Sequence, residues 1–317
     1  MRKQQNFAQP AITTTYAGEF AGKYIAAALL SAKTLDNQYI TIMPNVKFKS
    51  VIQKIAVDSI VNNASCDFTT SGTVALTERI LEPKELQVNL ELCKQEFVDS
   101  WEALQLGYSA FDEIPKDFND YLISYVGGKV AQATEQSIWT GVTATNGQFG
   151  GIYTALSSSV VAGGDNAPVT ASISGSITSA NVLTALDSLV NAIPNTVYGK
   201  EDVMIYVPTN VVKAYQQALS GGTAGANGWN NQMNVGEKPL NFQGIEMAFC
   251  PGLAASAMVA AQKSNLFFGT GLLSDYNEVR VLDMANLDGS QNYRIIMRYT
   301  AGTQYGIGSD IAIFKNY

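Results

Sequence analysis

Alternation of apolar and polar positions is the first signal along the chain. Between Ile40 and about Val57, Val46 and Phe48 alternate with Lys47 and Lys49, and Ile52, Ile55 and Val57 follow. The alternation returns at 86–93, where Val88, Leu90 and Leu92 are interleaved with Asn89 and Glu91. Between them lie turn-prone residues, NNASCDFTTSG, and a further strand-like piece, TVALTERIL. The pattern predicts a long hairpin with an elaborated tip. Two strands alone cannot cover their own apolar face, so the ribbon must fold back on the body or lie on a neighbouring subunit. Lys47, Lys49 and Lys54 on the outgoing strand, with Glu82, Glu85 and Glu91 near the return, are candidate inter-subunit contacts. A solvated charged face accounts for the same residues, because exposed ion pairs contribute little.

The period then changes. Phe118, Leu122, Tyr125, Val126, Val130 and Ala133 recur at spacings of three and four, predicting one helix over 115–141. At about 1.5 Å per residue it would run roughly 35 Å. Pro115 suits a first helical turn, and Gly141 supplies a stop. Gly127 and Gly128, in the middle, are the candidate bend in this helix. Residues 141–178 carry small strand and loop signals. A helix follows over about 179–193, then the strand DVMIYVP and a helix over roughly 210–219. After the loose stretch SGGTAGANGWNNQMNVGEK, strands are predicted at about 242–249, 256–261 and 265–268. The chain closes with NEVRVLD, a turn, QNYRIIMRYTAG and SDIAIF, all strand-like. At the other end, residues 1–16 read as an extended polar arm and 17–32 as a short helix. The apolar run YIAAALLSA within it is too short to cross a bilayer.

Composition narrows the function. Only 15% of the 317 residues are charged while 46% are apolar, so part of the surface is expected to be covered by other subunits, a large core being the alternative. The net charge of −7, with no basic cluster, argues against tight nucleic-acid binding. Histidine is absent, which excludes Ser-His-Asp and Cys-His catalysis and His-ligated metal sites. Cys66, Cys93 and Cys250 are odd in number and widely spaced, and read as small reduced residues. No apolar segment follows the basic residues at the N-terminus, and nothing marks a secreted or membrane-bound chain.

Candidate chemistry is thin. The stretch SNLFFGTGLLSDYNEVRVLD runs an apolar strand into Gly269-Thr270-Gly271, as phosphate-cradling loops do. The third glycine of that fingerprint is missing and a strand follows where a helix is needed, so the segment reads as a turn between strands. DMANLDGSQN lacks the ligand spacing of a calcium loop, and Asp288-Gly289 is more plainly a hairpin turn. GxSxG and GxxxxGK[ST] are absent. The fifteen Tyr and thirteen Phe read as core and interface. No constellation supports catalysis, and no cofactor or metal site is expected.

The order of features resembles the major capsid proteins of tailed bacteriophages, with the HK97-like α+β fold. ELCKQEFVDSWEALQLG followed by PKDFNDYLISYVGGKVAQATEQSIWTG looks like a hairpin return leading into a spine helix. VMIYVPTNVVKAYQQAL looks like the strand and helix of an axial domain. NLFFGTGLLSDYNEVRVLDMAN looks like the return to a peripheral domain, and RYTAGTQYGIGSDIAIF like the final strands. The likeness covers nearly the whole chain in order. It implies an arm and short helix at 1–35, an extended hairpin loop (E-loop) at 36–98 and a peripheral domain with the spine helix at 99–141. An axial α/β domain at 142–270 and a return with C-terminal strands at 271–317 complete it.

The resemblance further implies a non-enzymatic subunit, assembled in the bacterial cytoplasm into hexamers and pentamers of an icosahedral virion shell. Such a shell encloses double-stranded DNA without binding it specifically. Its partners would be copies of itself, a portal protein and, where present, separate scaffold and decoration proteins. The chain starts with a short arm at Met1, so a separate scaffold, or none, is expected. The Lys–Asn cross-linking constellation of some members cannot be placed and is not predicted. The alternative within the same fold is an encapsulin-type nanocompartment shell; from another class, a monomeric α/β enzyme.

Overall fold

The computed structural model describes residues 32–46, 48–57, 61, 63, 66, 74–93, 116–162, 167–173, 175–219, 240–271, 279–284, 289–290 and 292–315. The expected arm and first helix, and Lys47, lie outside them. The chain divides into two compact units: Met1–Ala28, Asn89–Tyr125 and Arg280–Ile296 form the smaller, and the remainder the larger.

In order, the described elements are α1 (Lys33–Asp36), β1 (Thr41–Met43), β2 (Ser50–Val57), β3 (Val74–Leu81), β4 (Lys84–Cys93), α2 (Lys116–Thr140) and α3 (Ile152–Ala162). There follow β5 (Val169–Ala171), α4 (Val182–Asn191), β6 (Val203–Val207), α5 (Thr209–Leu219), β7 (Asn241–Phe242) and β8 (Ile245–Phe249). The last are β9 (Met258–Gln262), β10 (Leu266–Thr270), β11 (Val279–Asp283), β12 (Asn292–Tyr305) and β13 (Ala312–Phe314). Helices and strands are mixed and unevenly ordered, an α+β arrangement.

The core of the larger unit lies around a six-stranded sheet of order β5-β13-β9-β6-β8-β7. Its strands are short and apolar because both faces are covered. On one face, Val203, Ile205, Val207, Met258, Ala260, Ala312 and Phe314 meet the apolar stripes of α4 and α5. α4 contributes Val182, Ala185, Leu186, Leu189 and Val190, and α5 contributes Val211, Ala214, Tyr215 and Ala218. The residues between them point the other way, and there Trp139, at the end of α2, meets Tyr206 with ring centroids 5.0 Å apart. A second sheet has the order β1-β10-β12-β11, with β4 also paired to β12. In the smaller unit, Glu91 on β4 accepts from Arg294 Nε at 3.0 Å and from Asn292 Nδ2 at 2.7 Å.

Several expectations are corrected. β2 pairs with β3, not with the 86–93 strand, which enters the other sheet as part of β4. Alternation marks a strand but not its partner, and the two-residue link Glu82-Pro83 turns the chain away. Gly269 and Thr270 are not a turn; they belong to β10, between β1 and β12. A Cβ on Gly269 would come within 2.7 Å of Leu81 Cδ2, so glycine here admits a close approach rather than a bend. The strand expected over 242–249 is two, β7 and β8, around Gln243 and Gly244 at positive φ. The loop-like stretch 141–178 contains the helix α3. Along α2 the apolar stripe drifts: Val126 and Val130 are buried, but Ala133 is exposed and Tyr125 is 38% exposed, while Ile138 and Trp139 take over the packing. Phe118 and Leu122 have side chains outside the described residues.

Candidate functional site: the hairpin and its root

The register of β2 and β3 runs from Ser50 opposite Leu81 to Val57 opposite Val74. Facing residues share a side of the ribbon and neighbours alternate, so the two sides can be read separately. The inner side is anchored to the larger unit. Leu81 is fully buried, and the Arg79 guanidinium lies 3.9 Å from the centroid of the Tyr305 ring. Gln304 Nε2 donates to Ile80 O at 2.8 Å. At the root, Lys84 Nζ donates to Thr143 O at 3.3 Å and Gln148 O at 3.0 Å, tying the hairpin to the loop after α2. A cleft of about 160 Å³ remains beneath the ribbon, lined by Ile52, Lys54, Arg79, Asn265, Phe267 and Gly306 among others.

The outer side carries exposed aliphatic side chains on either side of a polar facing pair, Gln53 and Glu78. Val51 is 50%, Leu76 70% and Ile80 46% exposed, and Val51 sits directly opposite Ile80. Phe48, just before β2, is 71% exposed. The fold anchors the hairpin's base and leaves Val51, Leu76 and Ile80 exposed.

Lys49 Nζ lies 3.2 Å from Glu82 Oε2, so these two pair within the hairpin root. Lys54 lines the cleft and Glu85 is exposed. Glu91 pairs with Arg294. Gly127 and Gly128 lie inside the unbroken helix α2, where a Cβ on Gly127 would meet nothing within 4 Å.

One polar centre escaped the sequence reading. Glu135, on α2, is fully buried, as is Thr34 on α1. Its Oε2 accepts from Thr34 N at 3.0 Å and its Oε1 from Thr34 Oγ1 at 2.6 Å. The Gly252 backbone N–H also donates to the carboxylate. Trp139 Nε1 donates to Thr34 Oγ1 at 3.0 Å, which commits the threonine proton to Glu135. Burial pushes the Glu135 carboxyl above its ordinary range, against the pull of the Thr34 and Gly252 bonds. Burial, and then the nearby Glu135, push the Cys250 thiol well up. A glutamate at this helical spacing reads as a solvent-side residue in sequence; only the Thr34 and Gly252 contacts reveal it.

Among the described residues no cluster of His, Cys, Asp and Glu could hold a metal ion. Among them, too, no helix is long and apolar enough to cross a membrane.

No protein-family model matches the chain, and no curated protein matches it. Solved structures do. The capsid of the native GTA particle matches with a TM-score of 0.67 at 13% identity, over 96% of this chain and 95% of that one. The capsid of Myoviridae phage XM1 matches with a TM-score of 0.59 at 11% identity, over 99% and 100% of the two chains. A structure from Mycobacterium phage Cain matches with a TM-score of 0.58 at 14% identity, over 96% and 95%. The chain thus has the α+β fold of phage capsid subunits, the HK97-like fold, along its whole length.

Proposed function

We propose that the chain is the major capsid subunit of a tailed bacteriophage, assembling with its own copies into hexamers and pentamers of an icosahedral shell around double-stranded DNA. The observation that carries this reading is the set of exposed aliphatic side chains on the outer side of the hairpin, Val51, Leu76 and Ile80, in a chain whose fold is that of capsid subunits. A ribbon of two strands is marginal by itself, and anchoring at the root leaves its outer face for the next copy. Lys49 and Glu82 already satisfy one another, so in this reading the aliphatic row supplies the inter-subunit energy. Lys47, Lys49, Lys54, Glu82, Glu85 and Glu91 are proposed as further inter-subunit contacts.

The arm is assigned to residues 1–35, the hairpin loop to 36–98 and the peripheral domain to 99–141. The axial domain is assigned to 142–270 and the return to 271–317. The net charge of −7 suits an inner wall over which packaged DNA slides without adhering. The subunit needs no catalytic residue. A portal protein, and scaffold or decoration proteins where the particle uses them, are its further partners, and the virion its location after assembly in the host cytoplasm. Sedimentation velocity of the full chain at rising concentration tests the reading. Capsomers or shells are expected; a subunit that stays single at every concentration would overturn it.

A further inference from the structure

We propose that Asn146 is a self-modifying site, which loses its side-chain amide through a cyclic imide to become aspartate or isoaspartate, and that the isoaspartate form loosens the root of the hairpin. Asn146 and Gly147 lie exposed in the loop after α2. They are the central pair of a turn closed by the Gln148 N–H donating to Thr145 O at 3.3 Å, long for such a bond. Gly147 has a φ of +77°, the positive value that a type II turn puts at its third residue and that glycine adopts without strain. Gly147 also presents its nitrogen with no side chain in front of it, and a Cβ there would meet nothing within 4 Å. Among the described residues nothing accepts from the Gly147 N–H, and the Asn146 side chain has no hydrogen-bond partner. Both reacting groups are therefore free to meet. Asn265 is the opposite case. Its Nδ2 donates to Ile307 O at 2.8 Å, its Oδ1 accepts from Ile307 N at 2.7 Å, and the branched Leu266 follows it.

The chemistry needs only water. The Gly147 nitrogen gives up its proton to solvent and forms a bond to Asn146 Cγ. The Cγ–Nδ2 bond breaks, and Nδ2 takes up a proton and leaves as ammonia. Water then opens the imide ring at one of its two carbonyls. Cleavage between the Gly147 nitrogen and Cγ restores the ordinary chain as aspartate. Cleavage between that nitrogen and the backbone carbonyl carbon of residue 146 leaves the chain running through Cβ and Cγ as isoaspartate, one backbone atom longer. Either product carries a new negative charge at neutral pH.

The lengthened link falls inside a clamp. Lys84 Nζ donates to Thr143 O and Gln148 O, one on each side of it, and the Val142 N–H donates to Gln148 Oε1 at 3.1 Å. The ends of the loop are fixed, since the Gly151 N–H donates to Gly141 O at 2.9 Å. The extra atom must be taken up between them, where the carbonyls that hold Lys84 lie. Lys84 opens β4 directly after the Glu82-Pro83 link from β3, so isoaspartate at 146 costs the hairpin a hold at its root.

Peptide mapping that separates aspartate from isoaspartate tests this on the full chain held at mildly alkaline pH, beside a second sample in urea. The folded chain should convert Asn146 within roughly ten-fold of the urea rate, as a loop of little local stability allows. Both acids should form, while Asn265 keeps its amide. Asn227-Gly228, outside the described residues, is mapped as a separate peptide. Asn146→Gln, whose ring would need one more atom, should stay unchanged. Hydrogen–deuterium exchange over 74–86 then compares the isoaspartate fraction with fresh chain. The isoaspartate fraction should exchange faster, whereas freshly purified Asn146→Asp, with the charge but the ordinary backbone, should match the wild type. A folded chain that keeps the Asn146 amide while the urea sample loses it would overturn the site. Aspartate without isoaspartate would overturn the cyclic route, and equal exchange in the isoaspartate fraction and fresh chain would overturn the effect on the hairpin.

Discussion

Replacing the outer row of the hairpin with acidic residues, as Val51→Asp, Leu76→Asp and Ile80→Asp together, separates assembly from folding. The three side chains are 50%, 70% and 46% exposed, so the subunit alone holds somewhat less than half of their burial. A neighbour covering what remains would gain a little over half of the usual 1.5–3 kcal/mol per aliphatic side chain, or roughly 2.5–5 kcal/mol per hairpin. In the proposed assembly each copy would make one such contact, so the loss would accumulate around the capsomer, and three buried carboxylates would add their own desolvation. Circular dichroism should therefore show a folded subunit with a lowered urea midpoint, a loss of about 2–4 kcal/mol, while sedimentation velocity shows a single subunit at concentrations where the wild type forms large particles. Normal shells from the triple variant would refute the reasoning, since no apolar contact at this face would then be holding copies together.

Three further outcomes are expected. Gly252→Ala would drive its Cβ into the backbone of Glu135 and Gln136. With backbone on both sides unable to yield, urea denaturation should show a loss of about 2–3 kcal/mol. Gly127→Ala has open space around the new methyl group and should stabilise the subunit by about 1 kcal/mol by the same measurement. Among the thiols, the exposed Cys66 should react with a colourimetric thiol reagent in the native protein, whereas Cys250, buried and with its thiol pushed well up, should react only on unfolding.

Long periodic segments were legible in the sequence because their pattern is made locally. The helix expected over 115–141 is Lys116–Thr140, and those over 179–193 and 210–219 are Val182–Asn191 and Thr209–Leu219. α3 was missed because IYTALSSSVVA has no charged face and is full of β-branched and serine residues, so neither periodicity nor propensity marks it. The hairpin was legible as alternating runs, but its pairing was not: a period of two says which side a residue faces, never which strand lies beside it. Cys66, read as a small reduced residue, is exposed. Of the candidate site, the need for a partner surface could be inferred from too little charge and an unsupported ribbon. Which residues form that surface could not. The charges Lys49, Glu82 and Glu91 drew attention, yet they find partners within the chain, while Val51, Leu76 and Ile80 looked like ordinary strand residues. Glu135 was hidden for the opposite reason, since its burial depends on Thr34 and Gly252, each about a hundred residues away.

Electron microscopy of the full chain expressed alone tests the central claim most directly, because it shows both the particle and the hairpin in it. The account predicts closed curved shells in which each β2–β3 ribbon lies with Val51, Leu76 and Ile80 against the adjoining copy. Isolated subunits, or shells whose ribbons stand with that face in solvent, would contradict it.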